Sequence, residues 1–476
     1  MTIQNHSPAN RIIYAFYLLV LAWAPIPLGS NRAWAWSLLE AAVYLMVASI
    51  FLLTVIRRCQ FVEQSTLKRN RWIVIVFCLH LAYLLIQCLP LPIDLITFLN
   101  PLKTGWFQTA PLVSNAEFAT LSASAHHSKI EFYKQLAYVL MLSLTLCLID
   151  SKKRLFLTVS VIISVSIVEA VYGVAASLMG ESFTLWRPTD GPSAGGTFVN
   201  KNHFAAHLSF AVGLSIGLCL YFLRLLEFST SRGKFRGLLI RMTKLVLTPI
   251  GFTFGVLLIL MSGMFLSQSR GALIALLISV LVILALGVIL HGRKSPEGRI
   301  LPYILLITLF ASFWLGLGNM FSSFVSILAK DTSRWAHWQQ TWTMFTEHWF
   351  VGVGNGAYQY VFTQFKAGDY THYLIDYAHN DHLQLLSEQG LMGALLWYAG
   401  LCLLFFRFLS AYFKKHSSRR YQCLLVGLLI ALAAFFLHGF VDFNFHIPAN
   451  ALWFYAILGL GLVVSDRISS DNWPEQ

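Results

Sequence analysis

Long apolar runs recur along this chain, and nothing constrains its fold more than their length. A hydrocarbon core of ~30 Å takes about 20 apolar residues as helix. By that measure twelve segments can span: 11–29, 34–56, 72–90, 131–149, 155–179, 203–224, 245–267, 271–290, 301–321, 391–409, 422–441 and 449–466. The expected fold is all-α and integral to a membrane, with about twelve transmembrane helices. Charge supports this: only 12% of residues are charged, against roughly 25% in soluble domains. No soluble core could hide so much apolar surface. The first run has no small-residue cleavage site after it, so it is expected to remain as a span.

Orientation follows from Lys and Arg in the loops. With the N-terminus in the cytoplasm, 24 of the 34 basic residues fall on the cytoplasmic side and 10 on the other. Both termini are then cytoplasmic. The net charge of +13 is a topology signal and calls for no nucleic-acid partner. Seven cysteines show no metal-type spacing, and five of them (Cys78, Cys147, Cys219, Cys402 and Cys423) lie in or beside apolar runs as small hydrophobes.

Three external segments exceed simple turns: 91–130, 180–202 and, between spans nine and ten, 322–390. No linker separates them from the rest, so the chain reads as one domain, 1–476, with a periplasmic helical cap at 322–390. Within the cap, Arg334 to Trp349 reads as a helix. Trp335, Trp338, Trp342, Phe345 and Trp349 form one stripe, and Arg334, His337 and Thr341 another. Tryptophan favours the membrane–water interface. An interfacial helix explains the first stripe; the second either faces water or lines a substrate cleft.

External charges are few, so each is informative. Arg270 sits in SQSRGA, between two apolar runs. It is either a rigid fork of donors for phosphate oxygens or a side chain snorkelling to the interface. The stretch 186–207 carries Arg187, Asn200, Lys201, Asn202 and His203 at a span entrance. Such a cluster can cradle an anionic head group at a helix N-terminus, or simply cap the helix. In HNDHLQLLSEQGLMG, His379 and His382 share a helix face beside Asn380 and Asp381. A histidine's ordinary pKa suits general-base work; a two-His metal site with Asp376 or Asp381 as third ligand is the other reading, but the spacing is not HExxH and no further ligand cluster stands out. The glycines of GVGNG follow a helix rather than a strand, which fits a turn and not a nucleotide loop. Asp442 and His446 are also external; Asp442 pairs with an Arg or holds a histidine, with a structural ion pair the plainer role.

These motifs together resemble a known family. His379 and Asn380, then nine residues, Gly390, two residues and Gly393 match the H-N-x9-G-x2-G pattern of bacterial O-antigen ligases. SRWAHWQQTWTMFTEHWFVGVGNG is similar to the R-x3-W and G-x-G-x-G lead-in of that superfamily, SQSRGA to its S-x-S-R-G segment, and GTFVNKNHFA to a loop of some branches. The resemblance covers roughly 180–450. It implies a metal-independent glycosyltransferase of the inner membrane, with no cofactor and its site facing the periplasm. The implied donor is a glycan on undecaprenyl diphosphate. The acceptor is lipid A core for a ligase, or a second glycan for an O-antigen or exopolysaccharide polymerase. By motif, Arg270 would hold the diphosphate and His379 would lie at the reacting centre, with attack opposite the diphosphate inverting the anomeric carbon. Arg187, Lys201, Asn202, His203, Arg334, His337, Asn380 and His382 are the further substrate-binding candidates; His382 stands where relatives often carry an aromatic. A transporter or flippase of lipid-linked glycans is the alternative from another class. It would need charged residues inside spans and paired broken helices, and neither is expected here.

Overall fold

The computed structural model describes residues 8–56, 66–103, 117–179, 193–225, 248–291, 332–366, 374–414 and 419–470. Among the described residues twelve helices carry the fold: α1 (Pro8–Trp23), α2 (Ala33–Val55), α3 (Arg71–Cys88), α4 (Ala125–Leu148), α5 (Lys152–Leu178), α6 (Lys201–Leu223), α7 (Pro249–Leu266), α8 (Arg270–His291), α9 (Thr332–Glu347), α10 (Asp381–Tyr412), α11 (Arg419–His438) and α12 (Pro448–Ser470). Ten of them, all but α1 and α9, are long and apolar enough to cross a membrane. The protein is an all-α multi-pass membrane protein. The span expected at 301–321 lies outside the described residues.

Two elements depart from the sequence expectation. The first run, expected to span as 11–29, is helical only from Pro8 to Trp23, about 24 Å at 1.5 Å per residue. Pro25 and Pro27 end it, because proline cannot donate to the helix ladder. The second departure is a short antiparallel pair, Pro90–Pro92 with Phe118–Thr120. Three-residue strands flanked by proline show no alternation that the sequence could reveal.

The bundle is built outward from two helices. In α6 and α12, 94% and 100% of the spanning window is buried, against 17% in α2. A helix that is apolar all round belongs in a centre, while α2 presents its sides to lipid. Helix α11 lies along α6 and α8, α7 against α5 and α6, α4 against α12 and α3, and α10 along α3. Lipid tails are as apolar as leucine, so helices associate through close packing rather than hydrophobic drive. Small residues make this possible where α6 meets α11. A Cβ added to Gly427 would sit 2.5 Å from the Gly213 carbonyl oxygen, and one on Gly213 would sit 2.6 Å from Ala431 N.

Ionisable groups do enter the spans, contrary to expectation. Glu169, in the middle of α5, is buried. It accepts hydrogen bonds from the amide of Thr197 at 2.9 Å and from its hydroxyl at 2.8 Å, and so anchors the loop that leads into α6. At the end of the bundle away from His379, the fully buried Asp466 receives Arg407 Nη2 at 2.6 Å and Asn70 Nδ2 at 3.3 Å. Each of these groups is engaged by partners within the bundle.

The close approach of α6 and α11 is testable. Gly427→Leu should destabilise the detergent-solubilised protein by about 1–3 kcal/mol or more, seen as a lower thermal midpoint. Gly255→Leu, where a Cβ meets nothing within 4 Å, should leave that midpoint unchanged. Equal effects of the two would contradict this packing.

Candidate active site

The site is organised by a break in helix α10. At Gly390 the backbone turns to φ 62° and ψ −173°, a region essentially confined to glycine. The break strips the helix of its own hydrogen bonds, and the loop after α9 supplies replacements. Leu391 N and Met392 N donate to the carbonyls of Trp349 (2.7 Å) and Phe350 (3.1 Å), while Val353 N and Gly354 N donate to Ser387 O (3.1 Å) and Glu388 O (2.8 Å). The two backbones touch: a Cβ on Gly390 would lie 2.5 Å from Gly352 N. The GVGNG stretch is thus a turn, as its glycines indicate, and its task is to pair with the broken helix. Tyr83 and Gln87 of α3 seal the junction. Tyr83 Oη donates to the carbonyls of Val351 and Gln389, and Gln87 Nε2 to that of Val351.

The nine residues before the break place His379. Asn380 is the N-cap of α10, its side chain accepting from Leu383 N at 3.0 Å. His379 immediately precedes it in a left-handed conformation, φ 51°, uncommon for a non-glycine residue. Asp381 then clamps the loop between α11 and α12. Its amide donates to Gly439 O (2.7 Å) and Asp442 O (3.0 Å), and its carboxylate accepts Phe445 N (3.1 Å) and pairs with His446 Nδ1 (2.9 Å). Burial acts to lower the His446 pKa, but the Asp381 hydrogen bond and charge outweigh it and the net shift is upward. Burial raises the pKa of Asp381 as well, so one proton between the two groups is held by the His446–Asp381 hydrogen bond.

That clamp sets Asp442 beneath His379. Asp442 is 1% exposed, and three imidazoles surround it. His203 Nε2 lies 3.5 Å from Oδ1, His379 Nδ1 4.0 Å from Oδ1, and His438 Nε2 4.0 Å from Oδ2. Burial would raise its pKa, but the polar contact and charge of His203, then of His438, reverse this and hold the carboxyl below its usual range. Asp442 is an anion at neutral pH. His379 keeps 39% of its side chain exposed. Its pKa is lowered, first by burial, with Asp442 opposing and Arg334 adding to the fall. The result is a neutral imidazole at pH 7 with an anion at its inner nitrogen.

His379 opens into a cleft of about 590 Å³, whose lining includes His203, Arg334, His337, Tyr377 and Phe443. The polar stripe of α9 faces this cleft through Arg334 and His337, while Trp335, Trp342 and Trp349 stay exposed. Trp338 departs from the expected stripe: its Nε1 donates to Ala378 O at 3.1 Å, fixing α9 against the strand of chain that carries His379. Burial, then repulsion from His379 in its protonated form, lowers the His337 pKa to about 4, so His337 serves as a neutral hydrogen-bonding group, held 2.8 Å from Tyr358 Oη. Phe443 stacks on Tyr377 with centroids 4.3 Å apart, giving the cleft an aromatic floor.

The other expected residues separate into two groups. Arg270 begins α8, and its charge is felt by Lys201 at the start of α6. Its neighbour Gly271 packs on His438, whose Nε2 is 3.1 Å from a Cβ placed there. Arg270 and Lys201 thus lie near the Asp442 cluster, one beside the Gly271 that packs on His438 and the other two residues before His203, but neither lines the cleft itself; Asn202 follows on the same turn, its backbone amide capped by Asn200 at 2.8 Å. His382 is directed elsewhere. Both its nitrogens are engaged, by Tyr398 Oη at 2.7 Å and Phe436 O at 3.0 Å, and it lines a small polar cavity with Glu388 and His446. Asn380 acts as a cap. Arg187 lies outside the described residues. His438 escaped the sequence expectation, although its four-residue spacing to Asp442 was a usable signal; Phe443 and Asn31, also on the cleft, had none.

Residues 254–398 match the family model described as O-Antigen ligase. The match runs from α7 into α10 and includes Arg270, Arg334 and His379, but neither Asp442 nor His203. It supports the O-antigen ligase and polymerase superfamily. No curated protein matches the chain.

The strap across the helix break is directly testable. Gly390→Ala forces a side chain into a left-handed position against the Phe350 carbonyl. It should cost about 1–3 kcal/mol from backbone strain alone and lower the thermal midpoint of the purified protein. A midpoint equal to wild type would show that the break is not held as described.

Proposed function

We propose that this protein transfers a glycan from undecaprenyl diphosphate to an acceptor sugar at the periplasmic face of the inner membrane, as an O-antigen ligase acting on lipid A core. One observation carries this reading: a neutral histidine, His379, stands on a cleft lined by Arg334 as well as Asp376, with a buried carboxylate, Asp442, at its inner nitrogen. Base and anion site share one cavity, which is what glycosyl transfer from a diphosphate requires. The family match at 254–398 and the loop charges support the same assignment.

The chemistry follows from the geometry. The outer nitrogen of His379 takes the proton of the acceptor hydroxyl. The acceptor oxygen forms a bond to the anomeric carbon while the bond from that carbon to the diphosphate breaks, and the leaving group departs with the electron pair. Attack from the side opposite the diphosphate inverts the anomeric centre. Asp442 stabilises the imidazolium that forms and fixes the ring, as a buried carboxylate does for a catalytic histidine elsewhere. Arg334, with Arg270 and Lys201 nearby, offsets the charge that develops on the diphosphate. Preorganised donors in a water-poor cleft suffice for this, so the proposed route needs no metal ion. A polymerase would use the same donor geometry with a second lipid-linked glycan as acceptor.

Transfer measured in proteoliposomes, with a lipid-diphosphate-linked glycan and lipid A core, tests the proposal. His379→Ala should lower the rate by about 10²–10⁴ with membrane insertion intact; wild-type transfer by this variant would sink the assignment. The pH profile carries the sign. The base is active when unprotonated, so activity is lost as pH falls through the His379 pKa. That pKa is lowered, so the acid limb should lie below the ordinary histidine value of about 6.5. Asp442 opposes the lowering, so Asp442→Asn should move the limb to still lower pH. A limb shifted upward in that variant would contradict the pairing.

A further inference from the structure

We propose that Asn31, in the loop between α1 and α2, hydrogen-bonds a sugar hydroxyl of the glycan bound in the cleft; the inference rests on the glycosyl-transfer reading above. Asn31 lines the same cleft as His379, His203 and Arg334, yet it lies more than two hundred residues before the segment that matches the family model.

The loop that delivers it is unusual. Leu28, Gly29 and Ser30 are successive residues in the left-handed region, with φ of 59°, 64° and 56°. L residues rarely adopt this conformation, and a plain turn between two helices does not need three in a row. Here the surroundings impose it. Ser30 is fully buried and its hydroxyl donates to Ala24 O at 2.6 Å. Thr197 Oγ1 lies 2.9 Å from Pro25 O as well as against Glu169, its one proton shared between the two acceptors, and Trp453 Nε1 donates to Leu21 O at 3.0 Å. Gly29 lies against Phe198 and Ile447, so closely that a Cβ would be 2.6 Å from the Phe198 ring. The loop is therefore seated between the lead-in to α6 and the start of α12. Strain that the fold enforces at the edge of a cleft is a recurrent mark of functional positions, and the residue it aims is Asn31.

Chemistry narrows the ligand. A primary amide offers two donors and an acceptor and no charge. That set matches a hydroxyl, which both donates and accepts; the charge of a diphosphate is met instead by Arg334 and the nearby Arg270 and Lys201. Asn200, on the same wall, has its Oδ1 committed to Asn202 N at 2.8 Å. The Asn31 amide makes no side-chain hydrogen bond among the described residues, so both its donor and acceptor functions remain for a ligand. The hydroxyl belongs either to the donor's glycan or to the acceptor sugar, and kinetics distinguish them.

The test uses the full-length protein in proteoliposomes with undecaprenyl-diphosphate glycan as donor and lipid A core as acceptor. Asn31→Ala removes one neutral hydrogen bond, so KM for one of the two substrates should rise about three- to tenfold. A rise for the donor alone assigns the hydroxyl to the donor's glycan; a rise for the acceptor alone assigns it to the acceptor. Asn31→Asp keeps the shape but removes both N–H donors and should raise the same KM, which keeps the test valid if the alanine variant fails to fold. Both KM values at wild-type level in folded variants would overturn the Asn31 assignment alone. Failure of the wild-type protein to transfer glycan to either acceptor class would overturn the glycosyl-transfer reading together with it.

Discussion

Helix α10 breaks at Gly390 and the turn around Gly352 fills the break. A helix interrupted among buried groups leaves amides and carbonyls that cost several kcal/mol each in hydrocarbon if unpaired. Four backbone hydrogen bonds from one loop satisfy them, and only glycine permits the two chains to lie so close. The consequences reach the site from both sides of the loop. The turn fixes the far end of α9, whose other end carries Arg334 and His337. The short polar half of α10 before the break carries Asn380 and Asp381, which set His379 and the Asp442 loop. The motif glycines and the motif histidine are parts of one construction.

Electrostatics then give that construction its chemical character. Asp442 is buried, and His203, then His438 and the Phe443 amide, hold its carboxyl ionised; an isolated charge at such a place would neutralise itself instead. His379 is neutral because burial and nearby cations disfavour its proton. A neutral imidazole backed by a buried anion, with Arg334 on the same cleft, is the arrangement on which the proposed division of proton removal and anion stabilisation rests.

Much of this was legible in the sequence. Apolar run length revealed the spans, because a bilayer sets a ruler that periodicity arguments lack. The two stripes of α9 separated the face that meets the cleft from the exposed tryptophans, though the sequence left open whether the polar stripe met water or a cleft, and the spacing from His379 to Gly393 marked the segment that the helix break organises. Long-range contacts were not legible. The three-residue spacing placed His382 and His379 on one helix face, but the helix begins at Asp381, so His379 sits outside it and points elsewhere. Asp442 showed only as an external acid; its three histidines come from α6, α11 and the segment before α10, and only the fold brings them together. Pro25 and Pro27 shortened a run that composition alone would extend. Asn31 carried no local signal, since its meaning comes from Phe198 and Ile447, far along the chain.

The proposed function places the lipid diphosphate in the cleft at His379, with its sugar at the imidazole. An experimental structure of the protein with an undecaprenyl-diphosphate glycan bound tests this most directly. Diphosphate oxygens are expected against Arg334 and toward Arg270 and Lys201, with the anomeric carbon in the cleft facing His379. A diphosphate bound elsewhere, with the cleft empty and His379 remote from any sugar, would contradict it.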